Sequence, residues 1–321
     1  MSHYDVFNGD ADGLCALHQL RLAQPRSAQL VTGVKRDNAL LKRVPARAGD
    51  SVTVLDIAMA TNREALVALL EQGVAVEYFD HHQAGDPPLS HPGLTASIDL
   101  APDVCTSVLV DRHLGGAHRP WAVVGAFGDA MPATARTLAA TLGLDEDTTD
   151  RLARLGECLN YNSYGDTAAD QMYRPEELYG LMRPYPQPLD FLAAEPVYHR
   201  LDAQYREDLE RVLATPALGR DGAAEIYLLP DAPWARRIVG SFANRLKLAS
   251  PAHAHAILVP NQRGKLTVSL RVPVGAAMSA DAFARRHGGN GRTTAAGVTN
   301  LEPSAVPAFA DDFAGTYRDL A

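Results

Sequence analysis

Acidic residues stand directly after several strand-like segments in the first half of this chain. Asp10 and Asp12 follow YDVFN, Asp56 ends SVTVLD, and Asp80 precedes the two histidines of VAVEYFDHH. The apolar segment AVVGAFGD, interpreted as a further strand, ends in Asp129. Because the carboxyl ends of parallel strands lie on one edge of a sheet, residues far apart in the sequence can converge there. The pattern therefore predicts a parallel sheet with an acidic edge.

Helix-like segments separate these strands. LCALHQLRLA carries leucines at helical spacing, and CTSVLVDRHLGG is also predicted as a helix. Thr61, with Glu64 three residues later, has the pattern of a capping box, and Gly73 is expected to end the helix that follows. This alternation predicts an α/β fold, with a doubly wound, mostly parallel sheet in the N-terminal domain.

The rest of the chain predicts a second, smaller α/β domain. Residues 1–183 are assigned to the first domain, 184–215 to a proline-rich linker and a connecting helix, and 216–321 to the second domain. Within the second domain, HAILVPNQRGKLTVSLRVP predicts two strands joined by a tight turn at 262–265. SADAFARRHGGNG predicts a helix that begins after Ser279 and ends at the glycines.

Composition narrows the class of protein. The 321 residues carry a net charge of −8, but the residues from Pro216 onward contain 12 basic and 8 acidic side chains. An acidic first half disfavours the coating of long duplex DNA and suits bound cations, whereas a basic second half suits an anionic substrate. There is no apolar run long enough for a membrane span and no evident signal peptide. Three widely spaced cysteines fit a reducing compartment, so a cytoplasmic location is expected.

A cluster of carboxylates at one sheet edge would repel itself unless cations were bound. Aspartate oxygens with one or two histidine nitrogens suit Mn²⁺ or Mg²⁺ better than structural zinc. Asp10 and Asp12, two residues apart in an extended segment, are expected to project to the same side. With Asp56 they could serve two ions about 3.5–4 Å apart. Each motif alone also fits a turn, a helix cap or a solvated acid.

The motifs taken together resemble those of the DHH phosphoesterase superfamily. DADG, Asp56, DHH and Asp129 resemble its four metal-binding motifs in order. GGNGRTTAAG, at 288–297, resembles the glycine-rich signature of the DHH-associated C-terminal domain, and LTVSLRVP resembles the Ser-x-Arg strand before it. RecJ-type exonucleases, nano-RNases and cyclic-dinucleotide phosphodiesterases belong to this superfamily. The resemblance covers nearly the whole chain.

The resemblance implies a cytoplasmic phosphodiesterase that hydrolyses short single-stranded oligonucleotides or dinucleotides with a water activated by two Mn²⁺ or Mg²⁺ ions. The implied metal ligands are Asp10, Asp12, Asp56, His81 and Asp129. Asp56 would bridge the ions, and His82 would face the substrate phosphate as a catalytic group. The implied substrate-binding residues of the second domain are Arg271, Gly288, Gly289, Asn290, Gly291 and Arg292.

The sequence departs from the motifs of the superfamily at two positions, and these departures leave other functions open. Val6 stands where many members carry a metal-binding histidine, and Asn8 could partly compensate. Arg292 stands where many carry another histidine. The alternatives are a phosphohydrolase of a cyclic dinucleotide, polyphosphate or other small phosphorylated substrate, and a weakly catalytic nucleotide-binding regulator. The segment VKRD, at 34–37, could contact a phosphate but is interpreted as a solvated turn, and a homodimer is consistent with the sequence.

Overall fold

The computed structural model describes residues 1–320, which form two compact units, Met1–Asp202 and the residues from Ala203 onward. The first unit contains five strands: β1 His3–Asn8, β2 Gln29–Gly33, β3 Ser51–Leu55, β4 Ala75–Asp80 and β5 Leu94–Ile98. They form one parallel sheet in the order β2-β1-β3-β4-β5. The predicted α/β class with a parallel sheet is confirmed.

Helices cover both faces of this sheet. They are α1 Ala11–Ala23, α2 Met59–Glu71, α3 Thr106–His113, α4 Arg119–Gly128, α5 Pro132–Thr141, α6 Glu146–Ser163, α7 Pro175–Met182, α8 Pro188–Ala194 and α9 Pro196–Leu213. Successive strand residues point to opposite faces, so the two neighbours Val6 and Phe7 enter different cores. Val6 packs in the core that includes Leu66 of α2, whereas Phe7 packs in the core that includes Leu14 of α1 and Trp121 of α4. The sheet is therefore doubly wound.

Several local predictions are wrong. AVVGAFGD forms most of helix α4 rather than a strand, because periodicity cannot distinguish a fully apolar helix from a buried strand. The helix α2 begins at Met59, and the amide of Thr61 already donates to the carbonyl of Ala58, so Thr61 is not its N-cap. The strand β5 was not predicted from the sequence at all.

The proline-rich stretch before α9 is folded rather than extended. It contains α8, in which Phe191 is fully buried and Leu192 nearly so, both in the core that includes Phe7. Pro188 and Pro196 stand at the beginnings of α8 and α9. Proline is tolerated there because the first amides of a helix have no partner within it.

The second unit is built on a six-stranded mixed sheet. Its strands are β6 Gly219–Asp221, β7 Ala224–Leu228, β8 Ala254–Pro260, β9 Leu266–Arg271, β10 Asn290–Arg292 and β11 Ala295–Leu301, in the order β10-β11-β9-β8-β7-β6. Its later helices are α10 Pro233–Ala249, α11 Ala280–Arg286 and α12 Val306–Tyr317. The predicted hairpin is confirmed, since β8 and β9 pair antiparallel, and Ser279 does precede α11. Aromatic residues of α11 and α12, including Phe283, Phe309 and Phe313, form the centre of its core.

Within residues 1–320, no helix is both long enough and apolar enough to cross a membrane.

Candidate metal centre

The predicted acidic edge exists at the carboxyl ends of β1, β3 and β4. The Nε2 atom of one imidazole lies at its centre. His81 Nε2 is 3.5 Å from Asp56 Oδ1, 3.7 Å from Asp129 Oδ2 and 4.0 Å from Asp12 Oδ2. Two ligands of one cation, each about 2.0–2.2 Å from it, lie at most about 4.4 Å apart. Each of these three carboxylates is therefore close enough to His81 Nε2 to share a cation with it.

His81 is held in the tautomer that a metal ligand requires. Its Nδ1 donates to the carbonyl oxygen of Val104 at 2.9 Å, which leaves the lone pair of Nε2 directed at the carboxylates. The side chain is only 3% exposed. A backbone carbonyl that fixes the ring of a metal-binding histidine is a common outer-shell contact. The segment that leads into helix α3 thus orients His81.

Asp56 adopts a backbone conformation that costs energy. Its φ is +59°, in the left-handed region that residues other than glycine rarely occupy. The amide of Asp56 donates to the carbonyl of Phe79 at 3.0 Å, and the side chain accepts a hydrogen bond from Thr106 Oγ1 at 3.2 Å. Strained residues of this kind are concentrated at functional sites. Here the strained turn directs the carboxylate toward His81.

Asp10 and Asp12 reach the site by different means, not as neighbours on an extended segment. Asp10 is the N-cap of α1, and its Oδ1 accepts hydrogen bonds from the amides of Asp12 and Gly13. Asp12 lies in the first turn of the helix. Its carboxylate accepts hydrogen bonds from the amides of Thr106 at 2.7 Å and Ser107 at 2.8 Å, at the N-terminus of α3. These bonds fix the position of Asp12 beside His81.

The electrostatics of the cluster favour a bound cation. Burial, together with the carboxylates of Asp10 and Asp12, raises the pKa of Asp56 well above its usual range. Burial also raises the pKa of Asp129, against the opposing charge of Lys35. Asp129 Oδ2 is buried and has no hydrogen-bond partner within residues 1–320. Crowded carboxylates with an unsatisfied oxygen are the arrangement that a divalent ion stabilises.

Two sets of side chains have the spacing for a metal ion, and both include His81. One set is Asp12, His81 and Asp129, and the other is Asp56, His81 and His82. Five of the six residues predicted around the catalytic site belong to these sets. Asp10 is close to them but belongs to neither in the described part of the chain.

His82 is half-exposed and is oriented by a buried acid. Its Nδ1 donates to Asp80 Oδ1 at 2.8 Å, and its ring contacts that of His81 edge to face. Asp80 itself is fully buried at the end of β4. With Nδ1 bonded to this carboxylate, a proton on Nε2 would make an imidazolium that Asp80 stabilises. The sequence predicted Asp80 at the edge of the sheet, but it did not predict that Asp80 orients His82.

Lys35 is a residue of the site that the sequence prediction missed. It was interpreted as part of a solvated turn, but its ammonium group forms a salt bridge with Asp10 and donates to Asn160 Oδ1 at 3.0 Å. Burial opposes its charge, yet the nearby carboxylates raise the pKa of Lys35 above its usual value. The side chain of Asn8 links the segment that carries Lys35 to the segment that carries Asp10. Its Nδ2 donates to the carbonyl of Lys35, and its Oδ1 accepts from the backbone amide of Asp10.

The second unit places two of the predicted substrate-binding residues on one face of its sheet. Ala295 pairs with Arg271 on one side and with Arg292 on the other, so the three side chains point the same way. The two arginines are about 10 Å apart at the backbone, with a small residue between them. Arg271 Nε also donates to Asn244 Oδ1 at 3.0 Å, whereas Arg292 is exposed.

The glycine-rich segment has structural reasons for its composition. The amides of Gly288 and Gly289 donate to carbonyls of α11, as in a helix C-cap. A Cβ on Gly289 would lie 2.2 Å from the carbonyl oxygen of Gly297, and one on Gly291 would lie 2.4 Å from Ala296 Cα. The absence of a side chain at these positions lets β10 pair closely with β11. Substrate binding by this segment stays a prediction.

Comparison with solved structures identifies the fold. An exonuclease RecJ bound to manganese is 22% identical, with a TM-score of 0.66 over 98% of this chain and 90% of that chain. The DHH domain of a member of the S1p family of ribosomal proteins is 12% identical, with a TM-score of 0.67 over 97% and 86% of the two chains. A pGpG-specific phosphodiesterase, PggH from Vibrio cholerae, is 13% identical, with a TM-score of 0.56 over 98% and 100%. No family model and no curated protein matches the sequence.

These likenesses and the sheet topology define an α/β protein with an acidic, histidine-containing sheet edge. The chain shares the fold of the RecJ and DHH-domain structures, as the resemblance of its DADG and DHH motifs predicted.

Proposed function

We propose that this protein is a divalent-metal-dependent phosphodiesterase that hydrolyses short oligonucleotides or dinucleotides. The observation that carries the proposal is the position of His81 Nε2, which lies within 4.0 Å of oxygens from Asp12, Asp56 and Asp129. Neutral imidazole and carboxylate ligands in such a group suit Mn²⁺ or Mg²⁺. The names of similar structures support the same class, since they include an exonuclease bound to manganese and a pGpG-specific phosphodiesterase.

The metal would be held by Asp12, Asp56, His81 and Asp129. A divalent cation bound there supplies positive charge to a phosphoryl oxygen and lowers the pKa of water. The amides at the start of α3 fix Asp12, and the carbonyl of Val104 fixes His81. These contacts hold the donor atoms in place before substrate binds, which avoids reorganisation during the reaction.

His82 is proposed to act on the substrate phosphate rather than only to orient His81. Its bond to Asp80 directs the ring and leaves Nε2 without a partner within residues 1–320. A protonated Nε2 could donate to a phosphoryl oxygen or protonate the leaving oxygen. Arg271 and Arg292, on one face of the second sheet, are proposed to bind a phosphate or a terminal group of the substrate.

The substrate class is tested by a hydrolysis panel with Mn²⁺ and chelator-treated enzyme. The panel contains linear RNA and DNA dinucleotides, short RNA and DNA, a cyclic dinucleotide, pyrophosphate and polyphosphate. We expect the highest kcat/KM with a linear dinucleotide or the shortest oligonucleotide, and no turnover in chelator. Preference for a cyclic dinucleotide or polyphosphate would favour the alternative phosphohydrolase. Tight nucleotide binding without turnover on any substrate would favour the regulator.

A cytoplasmic location is part of the proposal. Its support is that Cys15, Cys105 and Cys158 are all buried free thiols, as is usual in a reducing compartment.

A further inference from the structure

The ammonium group of Lys35 lies where a second cation would be expected in the cluster. It forms a salt bridge with Asp10, donates to Asn160 Oδ1 at 3.0 Å and lies 4.0 Å from Asp129 Oδ1. Two of these residues, Asp10 and Asp129, are predicted metal ligands. An ammonium group is a compact point charge with three donors, and the hydrogen bonds to Asp10 and Asn160 use two of them.

Several contacts hold Lys35 in this position. Its backbone amide donates to the carbonyl of Ser163 at 2.9 Å, and its carbonyl accepts a hydrogen bond from Asn8. The ammonium also lies 5.7 Å from the centre of the Tyr164 ring. The side chain is 24% exposed. The C-terminal ends of α6 and β1 thus fix the lysine from both sides.

Asp10 has little capacity left for a metal ion. One of its oxygens accepts two backbone amides as the cap of α1, and the other accepts from Lys35. Burial opposes ionisation of Asp10, but the charge and hydrogen bond of Lys35 hold the pKa of its carboxyl below its usual value. Asp10 is therefore already a paired carboxylate.

The geometry of His81 also limits the number of ions. Both sets of candidate ligands use His81, but Nδ1 is bonded to Val104, so only Nε2 can bind a metal. One imidazole nitrogen has one lone pair and serves one ion. With His81 bound to the first ion, the other set offers a second ion only Asp56 and His82, and His82 Nδ1 is already bonded to Asp80.

We propose that Lys35 takes the place of a second metal ion, so that this chain binds one divalent cation, at Asp12, Asp56, His81 and Asp129. The inference rests on the proposed function and replaces the two ions that the sequence predicted. Lys35 is a charge-compensating residue of the centre, and Asp10 is its counter-ion rather than a metal ligand. The positive charge of the ammonium would also repel a divalent ion placed near Asp10.

The test counts ions directly. Chelator-treated protein is titrated with Mn²⁺ by calorimetry, and the complex is studied by electron paramagnetic resonance. We expect one Mn²⁺ per wild-type chain and the signal of an isolated ion. Lys35→Met should gain a second, weaker Mn²⁺ with the spectrum of a coupled pair, because Asp10, Asn160 and Asp129 then face an empty position. Lys42→Met, at an exposed lysine of a nearby 3₁₀ helix, is the matched control and should bind one ion.

Asp10→Asn provides a second variant in case Lys35→Met fails to fold. It keeps the capping oxygen and should still bind one Mn²⁺ with affinity within about threefold of wild type. Two ions in the wild type, or loss of an ion in Asp10→Asn, would overturn the inference and leave the proposed function standing. A folded Lys35→Met that binds only one ion would also overturn it. A wild type that binds no Mn²⁺ would overturn both proposals.

Discussion

Asp80 accepts a hydrogen bond from His82 Nδ1 at 2.8 Å, although its own side chain is completely buried. Asp80 Oδ2 has no partner within residues 1–320. A buried carboxylate that makes one defined bond to a half-exposed histidine is typical of an acid that orients a catalytic imidazole. We therefore propose that His82 and Asp80 act as a pair.

Asp80→Asn should therefore lower kcat and leave KM nearly unchanged. We expect a loss of about 10- to 100-fold, less than the 10²- to 10⁴-fold typical when a general acid is removed. His82→Asn should lose more, and the double variant should be no worse than His82→Asn alone. Steady-state kinetics with a linear dinucleotide measures this. If the loss of kcat in the double variant equalled the product of the losses in the two single variants, the two residues would not act together.

Asp56 offers a variant that separates function from stability. Asp56→Gly should weaken Mn²⁺ binding by at least about 100-fold, because loss of outer-shell partners alone costs about 10- to 100-fold. The metal-free variant should be at least as stable as metal-free wild type, since one carboxylate leaves a crowded cluster and glycine accepts the φ of +59°.

Asp56→Ala is the matched control for the backbone. It removes the same carboxylate but keeps a Cβ at positive φ, so it should be about 1 kcal/mol less stable than Asp56→Gly in chemical denaturation. Hydrolysis should be nearly absent in both. Near wild-type turnover in either variant would contradict the place of Asp56 in the centre.

The arginines of the second sheet should affect substrate binding more than chemistry. Arg271→Ala and Arg292→Ala are each expected to raise KM by about 5- to 50-fold with little change in kcat, the sign of lost uniform binding. Arg285, an exposed residue of α11 that pairs with Asp281, is the matched control and should have no effect when changed to alanine. An unchanged KM in both test variants would remove this face from the substrate site.

His18 predicts a pH-dependent stability that is independent of the metal centre. It is 1% exposed, its Nε2 donates to the carbonyl of Tyr185, and it packs edge to face on Trp121. Burial lowers the pKa of His18 to about 4. Because the unfolded state binds this proton near pH 6.5, the free energy of unfolding should fall as pH drops from 6.5 to 4, by up to about 3 kcal/mol.

Comparison with His18→Gln isolates the contribution of His18 to the pH dependence of the free energy of unfolding. The variant should lose the part of the pH dependence between pH 6.5 and 4 that belongs to this group, while other titrating groups contribute equally to both proteins. Urea denaturation at several pH values gives the two curves. Parallel curves over this interval would show that His18 does not carry the effect.

The sequence predicted the parts of the site that depend on topology. The positions of Asp10, Asp56 and His81 followed from the rule that parallel strands end at one edge, and the sheet bears this out. Asp129 was predicted correctly near the cluster but for the wrong reason, since it follows a helix rather than a strand. The order of the motifs along the chain predicted the position of Asp129, whereas the periodicity of apolar residues did not.

The contacts that the sequence did not predict depend on side-chain direction across distant segments. Lys35 lies 25 positions from Asp10 and 125 from Asn160, and no local pattern distinguishes it from a lysine in a solvated turn. The two amides that bind Asp12 come from the first residues of α3, 94 and 95 positions away. Such contacts become visible only when the sheet and helices are assembled.

Anomalous diffraction from crystals grown with Mn²⁺ tests the central claim most directly. We expect one manganese peak within about 2.3 Å of His81 Nε2, with oxygens of Asp12, Asp56 and Asp129 in its shell. We also expect the Lys35 ammonium still bonded to Asp10 in the same crystal. A manganese bound to Asp10 with Lys35 displaced, or no peak at His81, would contradict the claim.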